Sequence, residues 1–313
     1  MFSTLIAVSV VLPVFNGGKY LDEAITSIRN QKFNNFELII LNDGSTDQSI
    51  EVIKKHASVD PRIVVVDREN KGLVETLNEG VRLAKADFIA RMDADDIAMP
   101  DRLSTQIAYL HAHPECVCVG SDIEIMDDKG RKLVVWSQLQ TDAAIQSGAL
   151  KGHGTICHPS AMFRKDAFVR CGGYRAEMYP AEDLDLWLRL GEVGSLANVD
   201  QVLLRYRMQP ASISSKAARD GRQRDAAKRA SDQACQRREL PVPLFDAHQP
   251  WRLDGTAGAD FSKNLEFGWW AYGSKEFGTA AAYGLKAWRS APTSREAFAL
   301  FVKSLWWQLR SRG

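Results

Sequence analysis

The sequence predicts an α/β protein with a mostly parallel central sheet flanked by helices, followed by a helical C-terminal extension. Three observations lead there. In the first hundred residues, short Ile- and Val-rich runs alternate with stretches of helical spacing. Each apolar run empties into a loop of Gly, Asn and Asp. The chain then changes character: residues 1–200 hold 21 basic and 29 acidic side chains, residues 201–313 hold 19 and 10, and six of the eight Trp lie beyond residue 250. With 45% hydrophobic and 25% charged residues in 313, the chain has enough apolar surface for one large domain or two modest ones, which excludes a disordered or fibrous protein. A net charge of +1 excludes a protein held to nucleic acid by bulk charge.

In chain order, Ala7–Val14, Phe36–Leu41, Ile63–Val66 and Phe88–Arg91 read as strands, and Tyr20–Asn30, Thr46–His56 and Val74–Ala84 as the helices between them. Near-continuous apolar strands in a βαβα rhythm belong to a sheet covered on both faces. Leu103, Ile107 and Leu110 predict a helix over 101–110, after Pro100. Cys116–Gly120 and Ile123–Met126 read as two strands, Asp127-Asp128-Lys129-Gly130 as a hairpin turn, and His158–Phe163 as a further strand. Glu182–Leu190 reads as a helix with Leu184, Trp187 and Leu188 on one face. Ser212–Glu239 is polar with mixed charge, and Pro241 and Pro243 mark a boundary. The expected division is a first domain over 1–215, a polar linker or helical segment over 216–250, and a basic, Trp-rich helical tail over 251–313.

Five cysteines, an odd number with no CxxC pair, fit a reduced, cytoplasmic compartment. Leu5–Leu12 is apolar but lacks a basic leader and stops at Pro13, so it reads as a buried strand and not as a signal peptide. No apolar run reaches the length of a membrane span.

Ligands of such a sheet gather at the carboxyl ends of its strands. Those ends read Pro13-Val14-Phe15-Asn16-Gly17-Gly18, Asn42-Asp43-Gly44-Ser45-Thr46-Asp47, Asp67-Arg68-Glu69-Asn70-Lys71-Gly72 and Asp93-Ala94-Asp95-Asp96. Carboxylates and Gly-containing turns in these places point to a polar, anionic ligand held with a cation. A dinucleotide-binding domain would carry G-x-G-x-x-G after its first strand, where this chain has only Gly17-Gly18.

Together with Asn70-Lys71-Gly72-Leu73 and Glu182-Asp183, and in the same order, these motifs resemble the family-2 inverting glycosyltransferases over roughly residues 5–215. The resemblance implies a GT-A fold, with a Rossmann-like central sheet, and transfer of a sugar from a nucleotide diphosphate to an acceptor hydroxyl or amine. A departing nucleoside diphosphate builds negative charge, which a divalent ion held by carboxylates stabilises. The resemblance implies Mg²⁺ or Mn²⁺ on Asp95, with Asp93 on the ribose or reaching the metal through water, and Asp96 supporting them from behind or capping the following helix. The alternative is that Asp93-Ala94-Asp95-Asp96 only caps the following helix. Asp43 would meet the pyrimidine edge, where a carboxylate favours a ring N–H and hence uridine or thymidine over cytidine. Asx-turn chemistry accounts for Asp43 too, and both can hold. Pro13, Val14, Asn16 and Ala94 would complete the nucleotide pocket. Arg68 and Lys71 would approach the nucleotide or its diphosphate, or else belong to a solvated surface.

By the same resemblance Asp183 takes the acceptor's proton and Glu182 orients the site. A helix's first turn keeps a carboxylate ionised, and acids are common there for that reason alone. Asp185 faces solvent or a neighbouring Arg. Gly172-Gly173-Tyr174 and the segment from His153 to Ser160 would shape the sugar and acceptor pockets, with His153 and His158 packing residues and not ligands. Many relatives carry a His where this chain has Gln209, a poorer metal ligand; Arg205 or Arg207 would still pair with phosphate.

In the tail, Phe298, Phe301, Leu305, Trp306 and Leu309 fall near one helical face. Trp307 lies off it and, with Arg312, suits a helix at a lipid interface, the alternative being packing on the first domain or a second subunit. The implied partners are a nucleotide-sugar donor, a saccharide or lipid-linked acceptor, and an anionic membrane at its cytoplasmic face, without nucleic acid. Competing readings are a sugar-nucleotide nucleotidyltransferase, whose Gly-rich basic loop Asn16-Gly17-Gly18-Lys19 imitates poorly, and a non-catalytic carbohydrate- or partner-binding scaffold.

Overall fold

The computed structural model describes residues 6–209, 221–245 and 259–311. Strands β1 (Val8–Val14) and β2 (Phe36–Asp43) are buried along their whole length, as their unbroken apolar sequences require. With β3 (Ile63–Arg68) and β4 (Phe88–Arg91) they form a parallel array in which β1 pairs with β2 and β4, and β2 with β3. Register sets Val14 opposite Asn42, Asp43 opposite Arg68, and Val11 opposite Arg91. The motif-bearing loops therefore leave one edge of the sheet, on either side of β1.

The intervening helices are α1 (Leu21–Arg29), α2 (Ser49–Ala57) and α3 (Leu73–Leu83). On α1 the buried positions Leu21, Ala24, Ile25 and Ile28 make one apolar stripe. Gly80 lets α3 close on β1, since a Cβ there would lie 2.4 Å from Val11 Cγ1. The chain continues through β5 (Ile97–Ala98), α4 (Arg102–Ala112), β6 (Cys116–Met126), β7 (Lys132–Trp136), α5 (Asp142–Leu150), β8 (Met162–Arg164), α6 (Lys165–Arg170), α7 (Glu182–Leu190) and β9 (Ser195–Arg207). Among the described residues the sheet order is β3-β2-β1-β4-β8-β6-β9-β5, with β7 on β6. Beyond β4 the pairings of β8 with β4 and β6, and of β5 with β9, are antiparallel.

Several elements depart from the sequence expectation. The two short strands around Gly120 are one strand of 11 residues, β6. His158–Phe163 is not one strand: His158–Ser160 is a 3-10 turn and pairing starts at Met162, because Pro159 has no N–H for a ladder. The 13-residue β9 carries Asn198, Asp200, Gln201 and Arg205, which mask its alternation. The helix after the acidic loop starts at Arg102 with Asp101 at its N-cap position, and β5 lies between, so Asp93-Ala94-Asp95-Asp96 does not cap it.

The fold divides into two units, one of Met1–Ile123, Ser137–Tyr206 and Arg222–His248, the other of Glu124–Trp136, Arg207–Gly221 and Gln249–Gly313. In the first, Arg222–Arg237 forms α8, whose Ala226, Ala227, Ala230 and Ala234 pack on Ala149, Leu184 and Leu188. A contact face made of alanines gives this stretch the composition of a linker. The expected boundary at residue 215 lies outside the described residues, as does Arg312.

The second unit holds α9 (Ala259–Gly273), α10 (Phe277–Ser290) and α11 (Arg295–Arg310) beside the β6–β7 turn. Buried Asp127 organises that turn: it accepts from the backbone N–H of Lys129 and Arg131, from Arg131 Nε at 2.7 Å and from the Tyr283 hydroxyl at 2.9 Å. Trp136 packs edge-on against Trp270, with ring centroids 5.5 Å apart. None of the described helices is long and apolar enough to cross a membrane.

Candidate active site

Backbone geometry knits the loops after β1 and β2 together. Pro13 and Val14 are buried, and Asn16 follows in a left-handed conformation (φ 51°), which asparagine tolerates. Asn16 Oδ1 accepts from Thr46 N (2.8 Å), Asn16 N donates to Ser45 Oγ (2.9 Å), and Gly18 N donates to Asp47 Oδ2 (3.0 Å). The sequence motif containing Asp43, Gly44 and Ser45 is thus also a clamp on the first loop.

Asp43, buried, reaches across to the third loop. Its carboxylate accepts from Lys71 N (2.8 Å) and Gly72 N (3.0 Å) and pairs with the Arg68 guanidinium. Asn70 Nδ2 donates to the Asp43 carbonyl at 2.9 Å, and Gly44 is needed beside it, since a Cβ there would lie 2.7 Å from Asn70 N. Arg68 also holds Glu79 (2.7 Å) and Thr76 Oγ1 (2.9 Å), so its guanidinium is engaged within the protein. The Lys71 side chain is exposed.

At the end of β4, Asp93, Asp95 and Asp96 each place a carboxylate oxygen within 4.8 Å of the others. Asp93 and Asp95 are partly exposed and Asp96 is buried; Ala94 between them is partly exposed. Buried Arg91 pairs with Asp93. Burial opposes the Arg91 charge, but the Asp93 carboxylate more than offsets this and raises its pKa. Beneath it, the fully buried Arg102 donates to the Arg91 carbonyl at 2.7 Å and to Gln106 Oε1 at 3.1 Å. Burial, with the like charge of Arg91, pushes Arg102 down to about 10. Three hard oxygen donors, two of them reachable from solvent, are the chemistry that Mg²⁺ or Mn²⁺ takes, so the cluster fits a divalent ion.

The Glu182-Asp183 pair opens α7, which follows a cis Tyr179–Pro180 peptide. Asp183 is partly exposed and accepts from Leu184 N at 2.7 Å. Glu182 is buried, and its Oε2 has no hydrogen-bond partner among the described residues. Burial first, and Asp183 second, push its carboxyl up to about 8, with Arg91 opposing and Asp93 adding to the rise. Glu182 thus lies in the field of Arg91 and Asp93, and Cys157 feels Asp96, Arg91, Asp93 and Asp183 together. The fold therefore brings the acidic pair of α7 to the acidic loop of β4, some ninety residues earlier in the chain.

Residues 9–172 match the family Glycosyl transferase family 2. The chain belongs to glycosyltransferase family 2. Among curated relatives, this glycosyltransferase is 31% identical over 203 residues to the amylovoran biosynthesis glycosyltransferase AmsE of Erwinia amylovora, covering 64% of this chain and 75% of that one. It is 32% identical over 218 residues to the O-antigen biosynthesis glycosyltransferase WbnJ of Escherichia coli, covering 67% and 83%. Two solved structures share the GT-A fold. S. aureus TarS 1-349 in complex with UDP-GlcNAc superposes with a TM-score of 0.61 at 15% identity, covering 95% of this chain and 89% of that one. The mannosyltransferase PcManGT from Pyrobaculum calidifontis, in complex with GDP-Man and Mn2+, superposes at 0.58 and 18%, covering 96% and 80%.

Sequence reasoning missed the supports of this candidate site. Arg91 and Arg102 lie in stretches that read as apolar strand and helix, and their only local signal is a cation at a buried position. Burial, then Asp96, raises the Tyr206 hydroxyl well above the ordinary tyrosine value, which sets it beside the acidic loop. His158 is a packing residue, as expected: its Nε2 lies 2.7 Å from the Tyr174 hydroxyl and its ring packs edge-on against Trp187. The Gly172-Gly173-Tyr174 turn is held by Asn78, which accepts from Tyr174 N and donates to Tyr174 O, each at 2.9 Å. Gln209 follows the end of β9 and is partly exposed.

Asp185 takes the arginine side of its two expected surroundings. Fully buried, it pairs with Arg175 and, at 2.6 Å, with Arg189. Removing it strands the nearly buried Arg189 cation, so Asp185→Ala is expected to cost about 3–5 kcal/mol of folding stability, measured by urea unfolding. A loss below about 1 kcal/mol would mean that solvent already screens the pair.

Proposed function

We propose that this enzyme transfers a sugar, with inversion, from a uridine or thymidine diphosphate sugar to the hydroxyl of a saccharide or lipid-linked acceptor. The reaction serves assembly of a bacterial-type surface polysaccharide or glycolipid, in the cytoplasm at the inner face of the membrane. The observation that carries this reading is the meeting of the Asp93-Asp95-Asp96 cluster with Glu182 and Asp183. It would serve the leaving diphosphate on one face of the sugar and supply a base for the acceptor on the other. The names of AmsE and WbnJ support the pathway, and the ligands of TarS and PcManGT support the donor class.

Asp95 and Asp93 would hold Mg²⁺ or Mn²⁺. Bound there, the ion stabilises as a Lewis acid the charge that develops on the departing diphosphate. Arg91 keeps the Asp93 carboxylate oriented. Pro13, Val14, Asn16 and Ala94 shape the nucleotide pocket, and Lys71 reaches the diphosphate from its exposed position. Asp43 accepts three bonds, which leaves about one lone-pair site of an ionised carboxylate for a ring N–H of uracil or thymine. Arg68 holds the Asp43 carboxylate in place for that contact. Asp183 removes the acceptor's proton as the anomeric carbon is attacked. Glu182, whose carboxyl burial and Asp183 push up toward the neutral form, competes less for the proton and orients the acceptor.

Binding of a nucleotide panel with and without Mn²⁺ tests the class. UDP or dTDP should bind at least about tenfold more tightly with the metal. Preference for a nucleoside triphosphate would instead favour a nucleotidyltransferase, and failure to bind any nucleotide would favour a non-catalytic scaffold.

A further inference from the structure

Helix α11 packs the opposite way from what its large apolar residues suggest. The face turned inward carries one large side chain between two small ones: Ala297, Leu300 and Ser304 are the buried residues of this helix. Gly284 of α10 permits the close approach, since a Cβ there would lie 2.8 Å from Phe301 N. The large residues point outward: Phe298 is 48% exposed, Val302 44%, Leu305 39%, Trp306 47% and Leu309 67%. At spacings of four, three, one and three residues they form one continuous stripe, larger than water-facing helices ordinarily tolerate.

Lys303 and Arg310 flank one side of that stripe, and Arg295 stands at its N-terminal end. Arg295, Lys303 and Arg310 are exposed, and the Arg310 guanidinium lies over the Trp306 ring, 4.0 Å from its centroid. The single acid of the helix, Glu296, is engaged by Trp269 Nε1 at 3.0 Å. A second copy of this chain would bring to the face the same apolar stripe and three cations against one acid, so like charge would dominate the contact. A phospholipid surface supplies both an apolar boundary and phosphate anions. Sixteen residues make a helix of about 24 Å, too short to span a bilayer but suited to lie along one.

We propose that the exposed face of α11 is the docking surface for an anionic phospholipid membrane, with Phe298, Val302, Leu305, Trp306 and Leu309 entering the interface and Arg295, Lys303 and Arg310 meeting headgroup phosphates. This deepens the membrane-side reading of the enzyme's location given above. It predicts which face binds and that both halves of the recognition, apolar and cationic, are required.

The test is co-sedimentation of the full chain with phosphatidylcholine vesicles, with and without about 30 mol% phosphatidylglycerol, in the absence of nucleotide. Binding is expected to the anionic vesicles and to weaken with salt. Lys303→Gln with Arg310→Gln should reduce it about fivefold per cation removed. Leu305→Ser with Leu309→Ser should reduce it by more than about tenfold. Metal-dependent UDP binding by the variants, expected unchanged, shows that the fold is intact. Equal binding to neutral vesicles, or variants that bind like the parent, would overturn the proposal. So would a concentration-dependent dimer that the Leu variants dissolve without any vesicle binding by the parent. Because vesicle binding is read without donor, failure of the transfer assay and failure of this proposal are separate results.

Discussion

Asp183→Asn is expected to lower the rate of sugar transfer by about 10²–10⁴-fold, the span over which a positioned general base contributes. The amide is nearly isosteric and can still accept from Leu184 N through its oxygen, as the Asp183 carboxylate does now. What it loses is the capacity to take a proton. Donor affinity, measured by titration of UDP with Mn²⁺, should stay within about twofold, because the base acts on the acceptor and not on the donor. A variant that transfers normally, or one that loses donor binding in step with activity, would remove Asp183 from that role. Glu182→Gln is the comparison: burial and Asp183 already push the Glu182 carboxyl up toward its neutral form, so a neutral amide of the same shape should have a smaller effect.

Asp95→Asn should lose metal-dependent donor binding together with transfer, the latter by about 10³-fold, in keeping with the several kcal/mol that metal stabilisation of a leaving phosphate supplies. The substitution removes one anionic oxygen from a cluster in which Asp93 is already paired with Arg91 and Asp96 is buried. The readout is the ratio of UDP affinity with and without Mn²⁺, which should fall toward one. If Asp95 has only a local structural role, thermal stability would drop while that ratio stayed unchanged. Asp101, whose carboxylate pairs with exposed Lys32 at 2.9 Å, offers the contrasting outcome, since its substitution should leave metal dependence alone.

Much of the fold was legible because its signals are local. Unbroken Val, Ile and Leu in β1 and β2 can be satisfied only by a strand covered on both faces, and β1 to α3 follow the expected order with ends shifted by a few residues. The four motif loops were legible for the same reason: parallel strands deliver their carboxyl ends to one edge, so Asn16, Asp43, Lys71 and Asp95 had to lie along it. Less legible were β9, where Asp200 and Arg205 interrupt the pattern, and α8, whose buried stripe is of alanines with no large apolar residue to mark it.

By itself, then, the sequence determined the βαβ core, the family and the edge of the sheet that bears the acidic motifs, since each depends on spacing within about ten residues. Only the tertiary structure decided how those motifs are held. Arg91 on Asp93, Arg102 on the Arg91 carbonyl, Arg68 on Asp43 and Arg175 on Asp185 are pairings between residues that give one another no local signal. It also decided which side of α11 faces water. Periodicity records where the apolar residues stand on a helix, but the face that is buried is the one whose size fits the partner. Here that is the face of Ala297, Leu300 and Ser304, with Gly284 of α10 admitting the Leu300–Phe301 backbone, which leaves most of the large residues outside.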